Sequence, residues 1–116
     1  MRIKSFTGIG IDIIEIKRFT QMNGPKGGRF FANVYTKREQ QYCRKFANPV
    51  PHFAGTFAAK EAASKALGGK YLFTVFEVRR TKSGKPEIWK NGTRLSDLSI
   101  SISHAESCAV AVCVAA

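Results

Sequence analysis

The chain opens with an apolar stretch, Phe6–Ile16, that is rich in isoleucine. Branched side chains suit a pleated, buried surface, so this stretch predicts a buried β-strand. Asp12 interrupts it, and an acid in an apolar strand is costly to bury unless it is paired, hydrogen-bonded or bound to a cation. Two interpretations of Asp12 are open: a partnered site residue, or a residue at the strand end that caps a helix beginning near Glu15.

Three short helical segments follow this strand. Ile16–Met22 predicts a short basic helix and, after a break at Asn23–Gly28, Arg29–Val34 predicts a further helical turn. The segment Thr36–Glu39 matches a capping box, which is typical of a helix start. We therefore expect a third helix over Lys37–Phe46.

The longest helical pattern runs from about His52 to Leu67 and contains the stretch FAAKEAASKALG. Alanine is the best helix former, and its small side chain lets a packed partner approach closely. In this background Glu61 and Lys65 are spaced i,i+4 and share one face of the helix. One interpretation is an ordinary surface salt bridge. The other is a carboxylate that meets a second carboxylate from elsewhere in the chain.

In the second half of the chain, apolar residues alternate with a period of two, as in β-strands. The predicted strands are Tyr71–Arg80, Glu87–Lys90, Ser99–Ser103 and Cys108–Val114. Lys82–Pro86 is a predicted turn, Asn91-Gly92 predicts a tight hairpin, and His104–Ser107 forms the tip of another. The pattern indicates an α+β protein in which an antiparallel sheet packs on the alanine-rich helix, with short helices around it.

Length and composition limit the protein class. A chain of 116 residues with 44% hydrophobic residues suits a single domain, residues 1–116. No apolar run approaches the roughly 18 residues of a membrane span, and the N-terminus does not resemble a secretory signal. The three cysteines form no C-x-x-C pair, and their odd number fits reduced thiols. We therefore expect a soluble cytoplasmic protein that does not bind membranes.

The positive charge is large and unevenly placed. The formal net charge is +11, and the segment Lys17–Lys45 holds eight basic residues against one acid, Glu39. Such a field implies a polyanionic or acidic partner, and composition alone favours nucleic acid. A basic RNA-binding module is thus one hypothesis, with Arg79, Arg80 and Tyr71 as a weak hint.

Asp12 and Glu61 suggest a different chemistry. Two carboxylates on two packed elements suit a hard divalent cation, because Mg²⁺ takes one or two protein carboxylates and completes its coordination with water and substrate phosphate. This arrangement serves phosphoryl-group chemistry, in which the protein positions groups and neutralises developing charge. Lys65 would stand where it can meet a phosphate. The pattern predicts a magnesium site that handles a phosphorylated ligand.

Two long motifs carry a family resemblance. GIGIDIIEIKRF (Gly8–Phe19) and FAAKEAASKALG (Phe57–Gly68) closely resemble the signature motifs of the holo-[acyl-carrier-protein] synthases, the small class of 4′-phosphopantetheinyl transferases. SGKP (Ser83–Pro86) and the closing SISHAESCAVAVCVA are similar to further family segments in the family's order. The resemblance covers essentially the whole chain and implies the 4′-phosphopantetheinyl transferase fold.

The resemblance also implies an activity. It is the Mg²⁺-dependent transfer of 4′-phosphopantetheine from coenzyme A to a serine of apo acyl carrier protein, which releases adenosine 3′,5′-bisphosphate and supports fatty acid biosynthesis. Asp12 and Glu61 match the family's metal ligands. Glu61 and Lys65 are the implied catalytic residues, with Glu61 assisting serine deprotonation through a water. Family members are typically homotrimers with active sites between subunits, so the resemblance implies the same here.

Further residues are implied to bind the two substrates. The implied coenzyme A-binding residues are Lys60, Lys65, Lys85, Pro86, Ser103 and His104. For Lys60, a solvated surface position is the alternative; for His104, Lys85 and Pro86 it is an ordinary turn. The acidic carrier is implied to dock on Lys17, Arg18 and Arg29, which reassigns the basic cluster from nucleic acid to a protein partner. Thr56 stands where many relatives carry an arginine, which removes one phosphate contact.

Overall fold

In the residues that the structure describes, one strand and three short helices precede a long helix, and five strands follow it. The computed structural model describes residues 5–23, 28–69 and 75–116. In chain order the elements are β1 (Gly8–Glu15), α1 (Ile16–Asn23), α2 (Arg29–Val34), α3 (Lys37–Arg44), α4 (Val50–Ala66), β2 (Phe76–Arg80), β3 (Pro86–Lys90), β4 (Thr93–Arg94), β5 (Leu98–His104) and β6 (Cys108–Ala115). None of the helices within these ranges is long and apolar enough to cross a membrane.

In the part of the chain that is described, six strands form two antiparallel sheets of three. The first has the order β1-β6-β5 and the second the order β2-β3-β4. In the first sheet, β6 is central and Asp12 of β1 lies opposite Ala111 of β6. Helix α4 packs across this sheet through a layer of alanines that are at most 7% exposed. This layer places the middle of α4 directly beside β1.

Two glycines set the distance between β1 and α4. A Cβ atom on Gly8 would lie 2.0 Å from the carbonyl oxygen of Ala66, and one on Gly10 would lie 2.0 Å from that of Ala62. No side chain fits at either position, so the strand and the helix are in backbone contact. Because side chains two apart in a strand share a face, Asp12 also faces α4.

The opposite face of β1 is apolar and exposed. Ile9, Ile11 and Ile13 are 69%, 61% and 66% exposed. Val110, Val112 and Val114 of the adjacent β6 are half-buried in register with them. A continuous apolar face of this kind marks an interaction surface in a folded protein.

A second cluster of apolar residues surrounds the first turns of α4. Phe31, Tyr35 and Phe53 pack edge to face or tilted, with ring centroids 4.7 to 5.2 Å apart. The Tyr35 hydroxyl donates a hydrogen bond to the carbonyl oxygen of Phe53 at 2.7 Å. These contacts fix α2 against the start of α4.

Most predicted elements are confirmed. The capping box forms, because Thr36 accepts a bond from the Glu39 amide and Glu39 from the Thr36 amide. Asn91 and Gly92 both have positive φ, as a tight hairpin turn requires. The predicted strand Tyr71–Arg80 is observed from Phe76 onward, and its first part lies outside the described residues, as does most of the predicted break at Asn23–Gly28.

Candidate active site

Asp12 and Lys65 form an ion pair between β1 and α4. The Lys65 ammonium lies 3.5 Å from Asp12 Oδ1 and donates a hydrogen bond to the carbonyl oxygen of Ile11 at 3.0 Å. Asp12 therefore sits within the strand and faces α4, and the alternative that it caps a helix is wrong. The Asp12 side chain is 16% exposed, whereas that of Lys65 is 51% exposed, so the carboxylate lies largely below the surface and the ammonium lies at it.

Glu61 completes this cluster from α4. Between Phe53 and Ala66 every residue of the helix is buried except Phe57, Glu61 and Lys65, which follow one another at i,i+4 spacing along one open stripe. Burial raises the pKa of Glu61, and the negative charge of Asp12 raises it further while Lys65 lowers it. In the part of the chain that is described, Lys65 pairs with Asp12 and no ion pair joins it to Glu61. The predicted surface salt bridge between Glu61 and Lys65 is thus not observed.

Asp12 keeps one oxygen without a partner. Oδ2 is buried and accepts no hydrogen bond from any described residue. Burial raises the pKa of Asp12, an effect that exceeds the opposing attraction of Lys65. A buried carboxylate oxygen left without a partner is unusual in a native protein and suits a position that receives a cation or a ligand.

The donor set fits magnesium better than a tightly bound transition metal. Across residues 5–23, 28–69 and 75–116, no group of three or more His, Cys, Asp or Glu side chains could hold a metal ion. The cluster offers two carboxylates, Asp12 and Glu61, and Mg²⁺ characteristically takes one or two with the remaining positions left for water and phosphate. The prediction that these two acids are brought close to each other and to Lys65 agrees with this geometry.

Lys60 lies on a different side of α4, in the interior. The Lys60 side chain is 0% exposed, and its ammonium lies 2.5 Å from Glu39 Oε1 and donates to the carbonyl oxygen of Val34. Glu39 also accepts a hydrogen bond from the Val78 amide at 2.7 Å. Burial raises the pKa of Glu39 and lowers that of Lys60, and their mutual attraction opposes both shifts. The prediction that Lys60 contacts a coenzyme A phosphate is wrong, because an enclosed, paired ammonium cannot reach a ligand.

A groove of about 490 Å³ lies between β1, α1 and α4, and Asp12, Glu61 and Lys65 are not among its lining residues. Its walls include Ile14 of β1, Arg18 and Phe19 of α1, and Phe57, one helical turn before Glu61. Lys17, Arg18 and Arg29 are all exposed, as docking residues must be. The groove therefore joins a basic surface to the open stripe of α4.

The other predicted coenzyme A-binding residues lie elsewhere on the chain. Ser103 and His104 end β5, and the His104 ring lies 5.3 Å from the ring of His52 in the first turn of α4. His52 precedes Glu61 by nine residues, a rise of about 14 Å along the helix. Lys85 and Pro86 lie where the turn after β2 meets β3. One chain thus brings Asp12, Glu61 and Lys65 together but does not join them to His104.

Sequence reasoning missed the surroundings of His52. Phe46 stacks on the His52 ring at 3.5 Å, and Tyr42 packs edge to face on Phe46 at 5.3 Å. The Arg80 guanidinium lies over the Tyr42 ring at 4.8 Å. Burial lowers the pKa of His52, and the charges of His104 and Arg80 lower it further. One signal in the sequence is the basic pair Arg79-Arg80 at the end of the predicted strand, which we interpret above as a weak hint of RNA binding.

Comparison with known proteins gives a consistent result. Residues 8–113 match the model of the 4′-phosphopantetheinyl transferase superfamily. The holo-[acyl-carrier-protein] synthase of Koribacter versatilis is 40% identical over 90% of this chain and 93% of its own length. That of Chlamydia caviae is 42% identical over 91% of this chain and 93% of its own length.

Solved structures agree with these sequence relatives. A holo-(acyl-carrier-protein) synthase from Bacillus anthracis in complex with CoA (3′,5′-ADP) superposes with a TM-score of 0.80 at 34% identity, covering 95% of this chain and 96% of the other. The Helicobacter pylori synthase in complex with coenzyme A gives a TM-score of 0.80 at 28% identity, covering 93% and 99%. The predicted α+β fold is confirmed, and nothing in these comparisons supports the RNA-binding alternative.

Proposed function

The chain belongs to the 4′-phosphopantetheinyl transferase superfamily, and from this premise we propose that it transfers 4′-phosphopantetheine from coenzyme A to a serine of apo acyl carrier protein. The products are holo acyl carrier protein and adenosine 3′,5′-bisphosphate, and the reaction supports fatty acid biosynthesis. The convergence of Asp12, Glu61 and Lys65 beside an open groove carries this proposal. The three cysteines are free, in keeping with action in the cytoplasm.

Asp12 and Glu61 would hold a magnesium ion. When bound, the ion neutralises the diphosphate of coenzyme A and stabilises charge that develops during transfer. The buried Asp12 Oδ2 supports this role, because it has no hydrogen-bond partner among the described residues. The short distance between β1 and α4 keeps the two carboxylates facing one another.

In the transfer step, Glu61 would accept the serine proton and Lys65 would offset the charge of the leaving group. The carrier serine oxygen attacks the β-phosphorus of coenzyme A, a new P–O bond forms, and the bond to the bisphosphate breaks. Glu61 would take the serine proton through an intervening water. Lys65 is half-exposed beside Asp12 and would offset the charge of the departing bisphosphate.

The carrier would dock on α1. Arg18 lies on the wall of the groove beside Phe19 and Phe57, and Lys17 and Arg29 extend the positive surface. Acyl carrier protein is acidic, so opposite charges guide the encounter and set its orientation. The groove then leads the modified serine toward the open stripe of α4.

We propose a homotrimer with each active site between two subunits. The exposed isoleucines of β1 form an apolar face that a second copy would cover. In one chain His104 is separated from Glu61 by more than two turns of α4, so a single subunit supplies only half of a site that uses both. Assembly would place the His104 end of one subunit beside the carboxylates of its neighbour.

Mass spectrometry of apo carrier protein tests the proposed activity. After incubation with this protein, coenzyme A and Mg²⁺, the carrier should gain about 340 Da, the mass of the phosphopantetheinyl group expected when serine attacks the diphosphate. Chelation of the metal with EDTA should stop the gain. An unchanged carrier mass at saturating Mg²⁺ would contradict the proposal.

A mixing experiment tests the shared active site. Light scattering should give three times the chain mass for the native protein and a smaller mass for Ile11→Glu, which places charge on the apolar face. Glu61→Ala and His104→Ala, each impaired alone, should recover part of the activity when unfolded and refolded together. A monomeric mass for the native protein, or no recovery of activity in the mixture of the two variants, would argue against a site built from two subunits.

A further inference from the structure

The chain contains two histidines, and the fold brings them into contact. His52 and His104 lie far apart in the sequence, but their ring centroids are 5.3 Å apart, with the ring planes at 75°. His52 lies in the first turn of α4 and is half-buried, whereas His104 ends β5 and is exposed. We call these two residues the histidine pair.

Neighbouring groups hold the histidine pair in place. The Phe46 ring stacks on that of His52, with centroids 3.5 Å apart and planes at 11°, and Tyr42 packs edge to face on His52 at 6.5 Å. His104 lies opposite Ala109 of β6 in the register of the sheet. Both histidines therefore stand on regular elements, and a site built on helices and strands needs little rearrangement to bind a ligand.

The separation of the two rings matches that of imidazoles that share one metal ion. Two imidazole nitrogens bind a tetrahedral Zn²⁺ at about 2.0–2.1 Å, which puts their ring centroids about 5 Å apart. Imidazole is a preferred ligand of Zn²⁺, Cu²⁺ and Ni²⁺. Within residues 5–23, 28–69 and 75–116, no group of three or more His, Cys, Asp or Glu side chains could hold a metal ion. Water would therefore complete the coordination of an ion bound by the histidine pair.

The charges near the histidine pair select the kind of metal. The Arg80 guanidinium and the Lys45 ammonium lie over the Tyr42 ring, at 4.8 and 5.0 Å. These positive charges oppose a hard cation such as Mg²⁺, which binds carboxylate and water oxygens rather than nitrogen. A cation that binds here must gain its affinity from the nitrogen lone pairs. The surroundings thus favour a borderline transition metal over Mg²⁺.

We propose that the histidine pair binds a borderline divalent metal ion such as Zn²⁺, and that occupancy of this site inhibits the transfer. The site differs from the magnesium site at Asp12 and Glu61, because more than two turns of α4 separate His52 from Glu61. Inhibition rests on the proposed function, in which His104 lies beside the nucleotide phosphates. A bound metal commits one imidazole nitrogen of His104 and withdraws it from that contact.

Calorimetry with zinc chloride tests the site in the absence of both substrates. Saturating Mg²⁺ keeps the two carboxylates occupied, and we expect one Zn²⁺ per chain. His52→Phe and His104→Phe, which each keep an aromatic ring, should weaken Zn²⁺ binding by about 10-fold or more, because one of two protein ligands is lost. Cys108→Ser removes a half-buried thiol outside the histidine pair and is the control, which should keep the native affinity.

Proton NMR of the native protein gives a second readout that does not depend on a variant. Because the chain has two histidines, its spectrum contains two sets of imidazole signals. Both sets should shift together as Zn²⁺ is added, and their shifts should be complete at one equivalent per chain. A shift of one set alone, or of neither, would overturn the shared site even if both phenylalanine variants fail to fold.

The rate of carrier mass gain at saturating Mg²⁺ tests the inhibition. Zn²⁺ should slow the native protein, and His52→Phe should keep the native rate without Zn²⁺ and need about 10-fold more Zn²⁺ for the same inhibition. Equal sensitivity of the two proteins would overturn the inhibitory role. Zn²⁺ binding that survives both histidine substitutions but is lost in Asp12→Ala would overturn the site. Binding by the histidine pair in a protein that transfers nothing would support the site and contradict the proposed function.

Discussion

Lys60 and Glu61 are neighbours on α4 but lie in contrasting surroundings. Lys60 is enclosed and paired with Glu39, which also binds the amides of Thr36 and Val78. Glu61 lies on the open stripe of the helix, beside Asp12, whose Oδ2 has no partner among the described residues. The first cluster ties α2, α3 and β2 to α4, and the second faces a groove.

The contrast separates a structural ion pair from a functional one. Around Lys60 the polar groups are satisfied within the chain, so a ligand has nothing to add. Around Asp12 a buried oxygen has no hydrogen-bond partner among the described residues, an unfavourable arrangement that binding of a cation would relieve. Under-satisfied groups, rather than charge alone, distinguish the site residues of this helix.

Removal of either Asp12 or Glu61 should have the largest effect, and that effect should be on the transfer rate. Asp12→Ala and Glu61→Ala should each lower the transfer rate by at least about 10³-fold, because the Mg²⁺ that neutralises the diphosphate is no longer held. Thermal melting should change by only a few degrees. The measurement is the rate of carrier mass gain, with Asp97→Ala, an exposed acid of the β4–β5 loop, as control. A native rate in either variant would refute the metal assignment.

Removal of the enclosed ammonium should act on stability instead. Lys60→Met leaves Glu39 buried without its counter-charge and should lower the free energy of unfolding by about 3–5 kcal/mol in urea titrations. Lys65→Met, the matched change on the open side, should cost less than about 1 kcal/mol because its ion pair is half-exposed. Adding Glu39→Gln to Lys60→Met should recover part of the loss, since an amide needs no counter-charge. Equal losses of unfolding free energy in Lys60→Met and Lys65→Met would show that the buried and the half-exposed ion pair do not differ in their contribution to stability.

A charge reversal at Arg18, on the wall of the groove, tests whether the carrier docks there. Arg18→Glu should weaken binding of the acidic carrier by about 10-fold or more and leave coenzyme A binding unchanged, with the carrier effect shrinking at high salt. Steady-state KM values for the two substrates, measured at low and high ionic strength, separate these effects. A similar loss for both substrates would remove Arg18 from the docking surface.

The smallest expected effect is the change in unfolding free energy when the charge of Asp12 is removed. Burial raises its pKa, so the folded protein holds this proton more tightly than the unfolded chain does. Ionised Asp12 therefore lowers stability above its folded pKa, and the cost vanishes as the pH falls below the ordinary value of 3.8. In EDTA, Asp12→Asn should raise the unfolding free energy by up to about 1 kcal/mol at pH 7 and leave it unchanged at pH 3. A loss at pH 7 would mean that attraction to Lys65 outweighs burial.

Local sequence patterns predicted the fold elements well, because their causes are local. The capping box at Thr36, the Asn91-Gly92 turn and the alternation in β6 each depend on residues a few positions apart. The pairing of Asp12 with α4 was predicted in outline from two motifs. Its geometry was not, since the preference of Lys65 for Asp12 over Glu61 depends on how β1 packs against the helix.

Lys60 shows where such prediction fails. It precedes Glu61 in an alanine-rich motif, and nothing nearby reveals that its ammonium points inward. Its partner Glu39 was recognised only as a capping residue, although the same carboxylate also binds Lys60 and the Val78 amide. Contacts between residues 39, 60 and 78 arise from tertiary packing and leave no periodic trace in the sequence.

The two faces of β1 should accept mutations by opposite rules. At positions 8 and 10 even a methyl group would collide with a helix carbonyl 2.0 Å away, so no amino acid other than glycine preserves the spacing. In a saturation library selected for growth, these codons should return glycine alone, while positions 9, 11 and 13 should exchange among branched apolar residues. The spacing between the two elements that carry the carboxylates thus depends on two residues that have no side chains.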